Sequence, residues 1–315
     1  MNILLTGCAG FIGSRTTELL LERGDNVTGI DNLSSHSYGA DVKQNRLRGL
    51  LGKEGFKFKQ MDITFKPAIF DLFKENQFHA VINLAALAGV RASLENPWLF
   101  LDVNVGGTLN LLEACVKNGV NKFVVASSSS VYGDGQQQAA SETMVTDYPL
   151  TQYGATKKAV EVLCYSYHHI YGLDISALRY FTVYGCAGRP DMSIYRFIEG
   201  IKNDREIEVF GDGTQKRDFT YIEDIAAGTV ASLKPLGFEA INLGNNNPVT
   251  LDYAIQLIES ELGKPAKIKY FPRNKADVLI NYADIKKAKR LLDWEPKVRI
   301  EEGIKRTVEW HLQQN

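Results

Sequence analysis

The sequence predicts an α/β fold, a doubly wound parallel sheet followed by a smaller C-terminal α/β cap, on three observations. Through the first 180 residues, apolar runs rich in β-branched residues alternate with stretches whose apolar positions recur every three or four residues. Strands are expected at 2–6, 26–31, 57–62, 80–85, 122–127 and 174–179, and nearly continuous apolar strands alternating with helices mark a parallel sheet covered on both faces. After residue 181 the alternation breaks down. The helical stretches lie near 12–23, 65–76, 97–118 and 150–171, with Gly24 and Gly119 as C-caps. Beyond them come short strands at 206–211, 240–244 and 268–271, and helices starting near Ser193, Ile222, Thr250, Asp284 and Glu301. The expected division is residues 1–180 for the sheet domain, with the chain returning to it near 215–235, and 181–315 for the cap.

Composition excludes several partners. The 315 residues are 44% hydrophobic and 23% charged, ordinary for a globular chain. A net charge of −1 provides no field for gripping nucleic acid or an anionic membrane. No apolar run reads as a membrane span, and Met1-Asn2 leads into an apolar strand with no basic flank. Cys8, Cys115, Cys164 and Cys186 show neither metal nor redox spacing, so reduced thiols, a cytoplasmic location and no metal are expected. His168-His169 sits mid-helix without a partner motif and reads as structural.

The first strand runs into Thr6-Gly7-Cys8-Ala9-Gly10-Phe11-Ile12-Gly13 and then an amphipathic helix. Gly7, Gly10 and Gly13 suit a tight turn that brings a pyrophosphate to the N–H groups at the positive end of the helix. The second strand ends in Asp31-Asn32, near the spacing at which an acid meets the adenosine ribose. Asp31 accepts from both ribose hydroxyls and repels a 2′-phosphate, which favours NAD over NADP.

Tyr153-Gly154-Ala155-Thr156-Lys157 opens a helix, placing Tyr153 and Lys157 one turn apart on one face. A free tyrosine titrates near ~10 and is a poor base at neutral pH. A neighbouring ammonium and a positive nicotinamide both favour the phenolate. At about 6 Å and an effective dielectric of about 20, each is worth about 3 kcal/mol, or about two pKa units. Together they are expected to bring Tyr153 near neutrality, fit to take a proton from a substrate hydroxyl.

The glycine turn, Asn83-Leu84-Ala85-Ala86, Ser127-Ser128-Ser129-Ser130-Val131-Tyr132-Gly133 and the Tyr153/Lys157 pair resemble the extended short-chain dehydrogenase/reductases over essentially the whole chain. The resemblance implies a Rossmann domain, a nucleotide-sugar-binding cap and a homodimer built from the helices near 97–118 and 150–171. It implies a catalytic triad of Ser128, Tyr153 and Lys157. The cofactor site it implies comprises Gly7, Gly10, Phe11, Ile12, Gly13, Asp31, Asn32, Asp62, Ile63, Leu84, Ala85, Ala86 and Lys157.

The serine run narrows the reaction. Dehydratases and decarboxylases of this kind carry acids before Val-Tyr-Gly, whereas this chain has Ser129-Ser130. Oxidation and re-reduction at one carbon remains, which is epimerisation. Tyr153 takes the C4-hydroxyl proton, the 4-keto sugar presents its other face, and Ser128 bonds the oxygen that becomes the ketone.

Two stretches resemble UDP-glucuronate 4-epimerases: Ala88-Gly89-Val90-Arg91-Ala92-Ser93-Leu94-Glu95-Asn96-Pro97, and the run from Tyr180 through Thr182 to Arg189-Pro190-Asp191-Met192. Thr182 stands where UDP-glucose epimerases usually have Asn. A uronic acid oxidised at C4 is a β-keto acid prone to lose CO₂. Neutral donors such as Ser129, Ser130 and Thr182 suit its carboxylate, with Arg189 either closing the pocket or pairing with Asp191. The resemblance makes Arg217 a diphosphate ligand, leaves a second one open between Arg273 and Asn274, and adds Arg91 and Asp277 to the UDP-sugar site. Leu87 departs from the usual Gln. UDP-glucose is the rival substrate, and an NAD-sensing Rossmann binding protein is the rival class.

Overall fold

A computed structural model of the chain describes residues 1–36, 38–134, 138–273 and 277–314. Asn274 therefore lies outside the described residues. The first half reads β1 (Asn2–Thr6), α1 (Phe11–Glu22), β2 (Asn26–Asp31), α2 (Ala40–Arg48), β3 (Phe56–Gln60), α3 (Lys66–Glu75), β4 (Ala80–Asn83), α4 (Val90–Glu95), α5 (Pro97–Phe100), a π-helical turn (Leu101–Gly106), α6 (Gly107–Asn118), β5 (Lys122–Ser128), a 3₁₀ turn (Ser129–Tyr132), α7 (Gln152–Tyr171) and β6 (Asp174–Tyr180). The second half adds β7 (Thr182–Tyr184), α8 (Ser193–Lys202), β8 (Glu206–Phe210), β9 (Lys216–Arg217), β10 (Phe219–Tyr221), α9 (Ile222–Ala231), β11 (Phe238–Leu243), β12 (Val249–Thr250), α10 (Leu251–Leu262), β13 (Lys267–Phe271), β14 (Ile280–Asn281), α11 (Lys286–Leu292) and α12 (Ile300–Gln313).

Seven parallel strands form the main sheet in the order β11-β6-β5-β4-β1-β2-β3. Both faces are apolar because both are covered: Ile3 and Leu5 enter one core, Leu4 the other. The strand order reverses between β1 and β4, so a crevice opens at their carboxyl ends. Thr6 pins that point, donating to Asn83 Oδ1 (2.6 Å) and accepting from the Ala85 N–H (3.1 Å).

The structure departs from the sequence expectations in several places. The strand expected at 240–244 is β11, and it pairs with β6 at the edge of the main sheet. α9 packs on α1, within the stretch where the chain is expected to return to the sheet domain. Ala40–Arg48 folds as a helix that the apolar pattern does not announce, because only Leu47 and Arg46 are buried. The helix expected at 97–118 is interrupted by the π-helical turn, which sends Asn104 into the core. That stretch is long and apolar enough by composition to pass for a membrane span, contrary to the sequence reading. Leu111, Leu112, Ala114 and Cys115 of its inner face nevertheless pack in the core.

The remaining strands form small sheets over the strand ends: β10 with β7, β9 between β12 and β14, and β13 with β8. Asp218 ties them together from its buried position. Its carboxylate accepts from the backbone N–H groups of Asn245 (2.5 Å), Asn246 (3.1 Å) and Ala283 (2.8 Å).

Candidate active site

The site begins at the glycine turn. Gly7 has a φ of +73°, and a Cβ there would come within 2.8 Å of the Ala85 nitrogen. A Cβ on Gly13 would collide with the Gly7 carbonyl, so only glycine permits so tight a turn. Gly10 caps α1 without a side chain, which leaves first-turn N–H groups available to an anion.

Asp31 is buried at the end of β2 and accepts from the N–H groups of Ala9 (3.2 Å) and Leu33 (2.8 Å). Lys43 Nζ lies 3.8 Å from it. Asn32 donates to Asp62 (2.7 Å). These residues, with Phe11, Ile12, Ile63, Leu84, Ala85 and Ala86, line a cavity of about 860 Å³ that continues to Ser128, Tyr153, Lys157 and Thr182. A phosphate cradle, an acid at the second strand end and a cavity of this size fit a dinucleotide.

α7 delivers the catalytic candidates. Thr151 caps it, accepting from the Gly154 N–H (3.3 Å), so Tyr153 stands in the first turn. Tyr153 hydrogen-bonds Ser128 at the end of β5, and the Phe100 ring meets its ring edge to face at 6.3 Å. Lys157 is 4% exposed, and its Nζ donates to the Ala126 carbonyl (2.9 Å). Beneath them Glu161 takes two 2.8 Å bonds from Arg179 and one of 2.6 Å from Ser127, locking α7 to β5 and β6. Such a buried, fully bonded pair fixes geometry more than it adds stability.

The electrostatics differ from the sequence expectation in one respect. Burial pushes the Tyr153 phenol up, against the Ser128 hydrogen bond and the Arg189 charge, which pull it down. Burial also brings Lys157 down to about 8. The ammonium is 5.9 Å from the centre of the Tyr153 ring and does not by itself bring the phenol toward neutrality.

The substrate candidates divide. Ser129, Ser130, Thr182, Arg189, Arg217 and Asp277 line the cavity beyond Tyr153. Arg189 lines the cavity and pairs with Asp191 (2.6 Å), and it also donates to the Ala88 carbonyl (3.2 Å), a contact the sequence did not suggest. Arg217 is held by the carbonyls of Lys216 (3.0 Å) and Leu279 (3.4 Å). Arg91 and Arg273 stand outside the lining. Arg91 is drawn to Asp277 (3.3 Å) and over the Phe210 ring (3.8 Å), and Arg273 is exposed beyond β13.

Residues 3–244 match the NAD dependent epimerase/dehydratase family. The chain belongs to this family. A UDP-glucuronate 4-epimerase of Thermodesulfobacterium geofontis is 56% identical over 98% of this chain and 95% of its own. Among solved structures, the UDP-glucuronic acid 4-epimerase from Bacillus cereus in complex with UDP-glucuronic acid and NAD is similar, with a TM-score of 0.94, 36% identity and full coverage of both chains. The UDP-glucose 4-epimerase of Thermotoga maritima with UDP-glucose is also similar, with a TM-score of 0.91 and 33% identity over 99% of each chain.

Two residues of this NAD dependent epimerase/dehydratase site escaped the sequence reading. Asn104 accepts from the Leu87 N–H (2.8 Å) and donates to the Leu87 carbonyl and the Thr156 hydroxyl (3.1 Å each). It thereby ties Leu87, which lines the cavity, to α7. Asn281 of β14 lines the cavity and donates to Ser129 Oγ (2.9 Å). Neither carries a local signal, since each acts on a partner more than 15 residues away.

Proposed function

We propose that this protein is an NAD-dependent UDP-sugar 4-epimerase that converts UDP-glucuronate to UDP-galacturonate. The observation that carries the reading is the hydroxyl-lined end of the cavity. Ser129, Ser130 and Thr182 lie beside the Ser128, Tyr153 and Lys157 cluster, where a hexose C6 group would sit next to a reacting C4. The 56% identical UDP-glucuronate 4-epimerase supports it.

The residues present fit NAD through the Gly7, Gly10 and Gly13 cradle, Asp31 and Lys157. Bound there, NAD would supply a reversible hydride acceptor for C4 and a further positive charge, that of the nicotinamide, near Tyr153. Tyr153 takes the C4-hydroxyl proton and later gives it back. Ser128 donates to the C4 oxygen as carbonyl character develops. Neutral hydroxyls hold the uronate carboxylate by charge-assisted hydrogen bonds without supplying an acid that would drive elimination or decarboxylation. Arg217 and Asp277 are assigned to the diphosphate and ribose end.

The deciding experiment is proton NMR of UDP-glucuronate incubated with purified protein and no added cofactor. The galacto product should appear, because the cofactor is regenerated each turnover and stays bound. No product from UDP-glucuronate, with interconversion of UDP-glucose and UDP-galactose instead, would overturn the substrate assignment. Thr182→Val refines the test by deleting one donor while keeping shape. A charge-assisted bond is worth about 1.5–3 kcal/mol, so kcat/KM for UDP-glucuronate should fall about ten- to a hundredfold. The already slow turnover of UDP-glucose should barely change. Equal losses for both sugars would show that Thr182 does not hold the carboxylate.

A homodimer is part of the same proposal. Leu94, Trp98, Leu101, Leu109, Val162 and Tyr165 are exposed apolar side chains on α4 to α7, a face suited to a second copy. A cytoplasmic location is also proposed, supported by four unpaired cysteines, three of them buried.

A further inference from the structure

Arg46 of α2 stands outside the cavity lining and is 7% exposed. All three of its guanidinium nitrogens are used. Nε donates to the Ala187 carbonyl (2.9 Å), Nη2 to the Gly188 carbonyl (2.8 Å) and Nη1 to the Tyr38 hydroxyl (2.9 Å). None of the ion pairs among the described residues includes it. A buried charge held by neutral oxygens is costly to keep and earns no ion-pair attraction, so its position has to be explained by the geometry it imposes.

That geometry concerns one loop. The two captured carbonyls belong to the residues immediately before Arg189. Gly185 has a φ of +143° and Ala187 a φ of +54°, so the loop runs through backbone conformations that need outside support. The Arg46 guanidinium also lies 5.1 Å from the centre of the Tyr38 ring and 5.8 Å from that of Phe11, the first residue of α1 after the glycine turn. Arg189 lies 5.8 Å from the same Tyr38 ring. One side chain therefore spans the cofactor turn, the 38–46 segment and the substrate loop. A planar fork of donors does this, and a lysine ammonium cannot reach all three oxygens.

We propose that Arg46 is a positioning residue for the epimerisation. By holding the Ala187 and Gly188 carbonyls it sets where Arg189 stands in the sugar pocket, and through Phe11 and Tyr38 it ties that position to the cofactor turn. The inference rests on the uronate reading for the part Arg189 plays.

Arg46→Met keeps the aliphatic stem and removes the donors. With sugar orientation loosened, kcat for UDP-glucuronate should fall about ten- to a hundredfold, with KM changing less than about threefold. Backbone amides of 185–192 should exchange with deuterium at least about tenfold faster, while those of β1 keep the parent rate. The Arg46→Met/Arg189→Met double variant should stay within about twofold of Arg189→Met alone, because both act through one side chain. Parent-like kcat, unchanged exchange at 185–192, or losses that multiply in the double variant would each overturn the proposal. If the methionine variant does not fold, Arg46→Lys takes its place, with an intermediate loss expected and parent-like kcat overturning the idea. If the parent itself leaves UDP-glucuronate unchanged, the uronate reading fails, and the exchange rates alone decide the part played by Arg46.

Discussion

Tyr153→Phe should lower kcat for UDP-glucuronate by at least about a hundredfold while leaving UDP-sugar binding close to that of the parent. The substitution removes one oxygen and keeps the ring that packs against Phe100. The lost oxygen is the one that bonds Ser128 and stands within the influence of Arg189. Ser128 cannot replace it as a base, because a serine hydroxyl gains no proton affinity from a neighbouring serine, and its Oγ already accepts from the Ser130 N–H (3.1 Å). Lys157 is directed at the Ala126 carbonyl. Turnover followed by NMR and binding followed by calorimetry separate the two quantities. If the variant keeps more than about a tenth of parent kcat, a loss under about 1.4 kcal/mol, another group removes the C4 proton.

Tyr153 and Lys157 were readable because helix geometry converts a four-residue spacing into one shared face. The glycine turn was readable because each glycine answers a local steric demand. β1 and β4 were readable because their apolar residues are buried on both faces of the parallel sheet. Arg46, Asn104 and Asn281 were not readable. Their partners lie 141, 17 and 152 residues away, at Ala187, Leu87 and Ser129, and no periodicity encodes such distances. β11 was legible as a strand but not as a member of the main sheet, because its pairing with β6 depends on the path of α9. The sequence reveals the charges that favour the Tyr153 phenolate, Lys157 and a bound nicotinamide, but not the burial that pushes the phenol up in the protein alone.

Burial also separates the two duties of Lys157, and Lys157→Met exposes the separation. The variant should be at least about a hundredfold slower, like Tyr153→Phe, and should also hold its cofactor less tightly, because Lys157 is among the residues proposed to hold NAD. Stability should respond in the opposite sense. The folded state lowers the lysine to about 8 from its ordinary 10.5, so between those values the unfolded chain binds more protons. The buried ammonium therefore weakens the cofactor-free fold at every pH below about 8, by an amount on the order of 3 kcal/mol, and this weakening fades as pH rises toward 10.5. Methionine carries no such penalty, although it leaves the Ala126 carbonyl without its donor, which returns about 1–3 kcal/mol of the gain. Thermal melts of cofactor-free parent and variant at pH 7 and pH 9.5 test the sign. The variant should melt no lower than the parent at pH 7, and the parent should gain on it at pH 9.5. A parent that loses ground to the variant as pH rises would mean that the folded protein stabilises the Lys157 ammonium, and the assignment of burial as the dominant influence on this residue would fall.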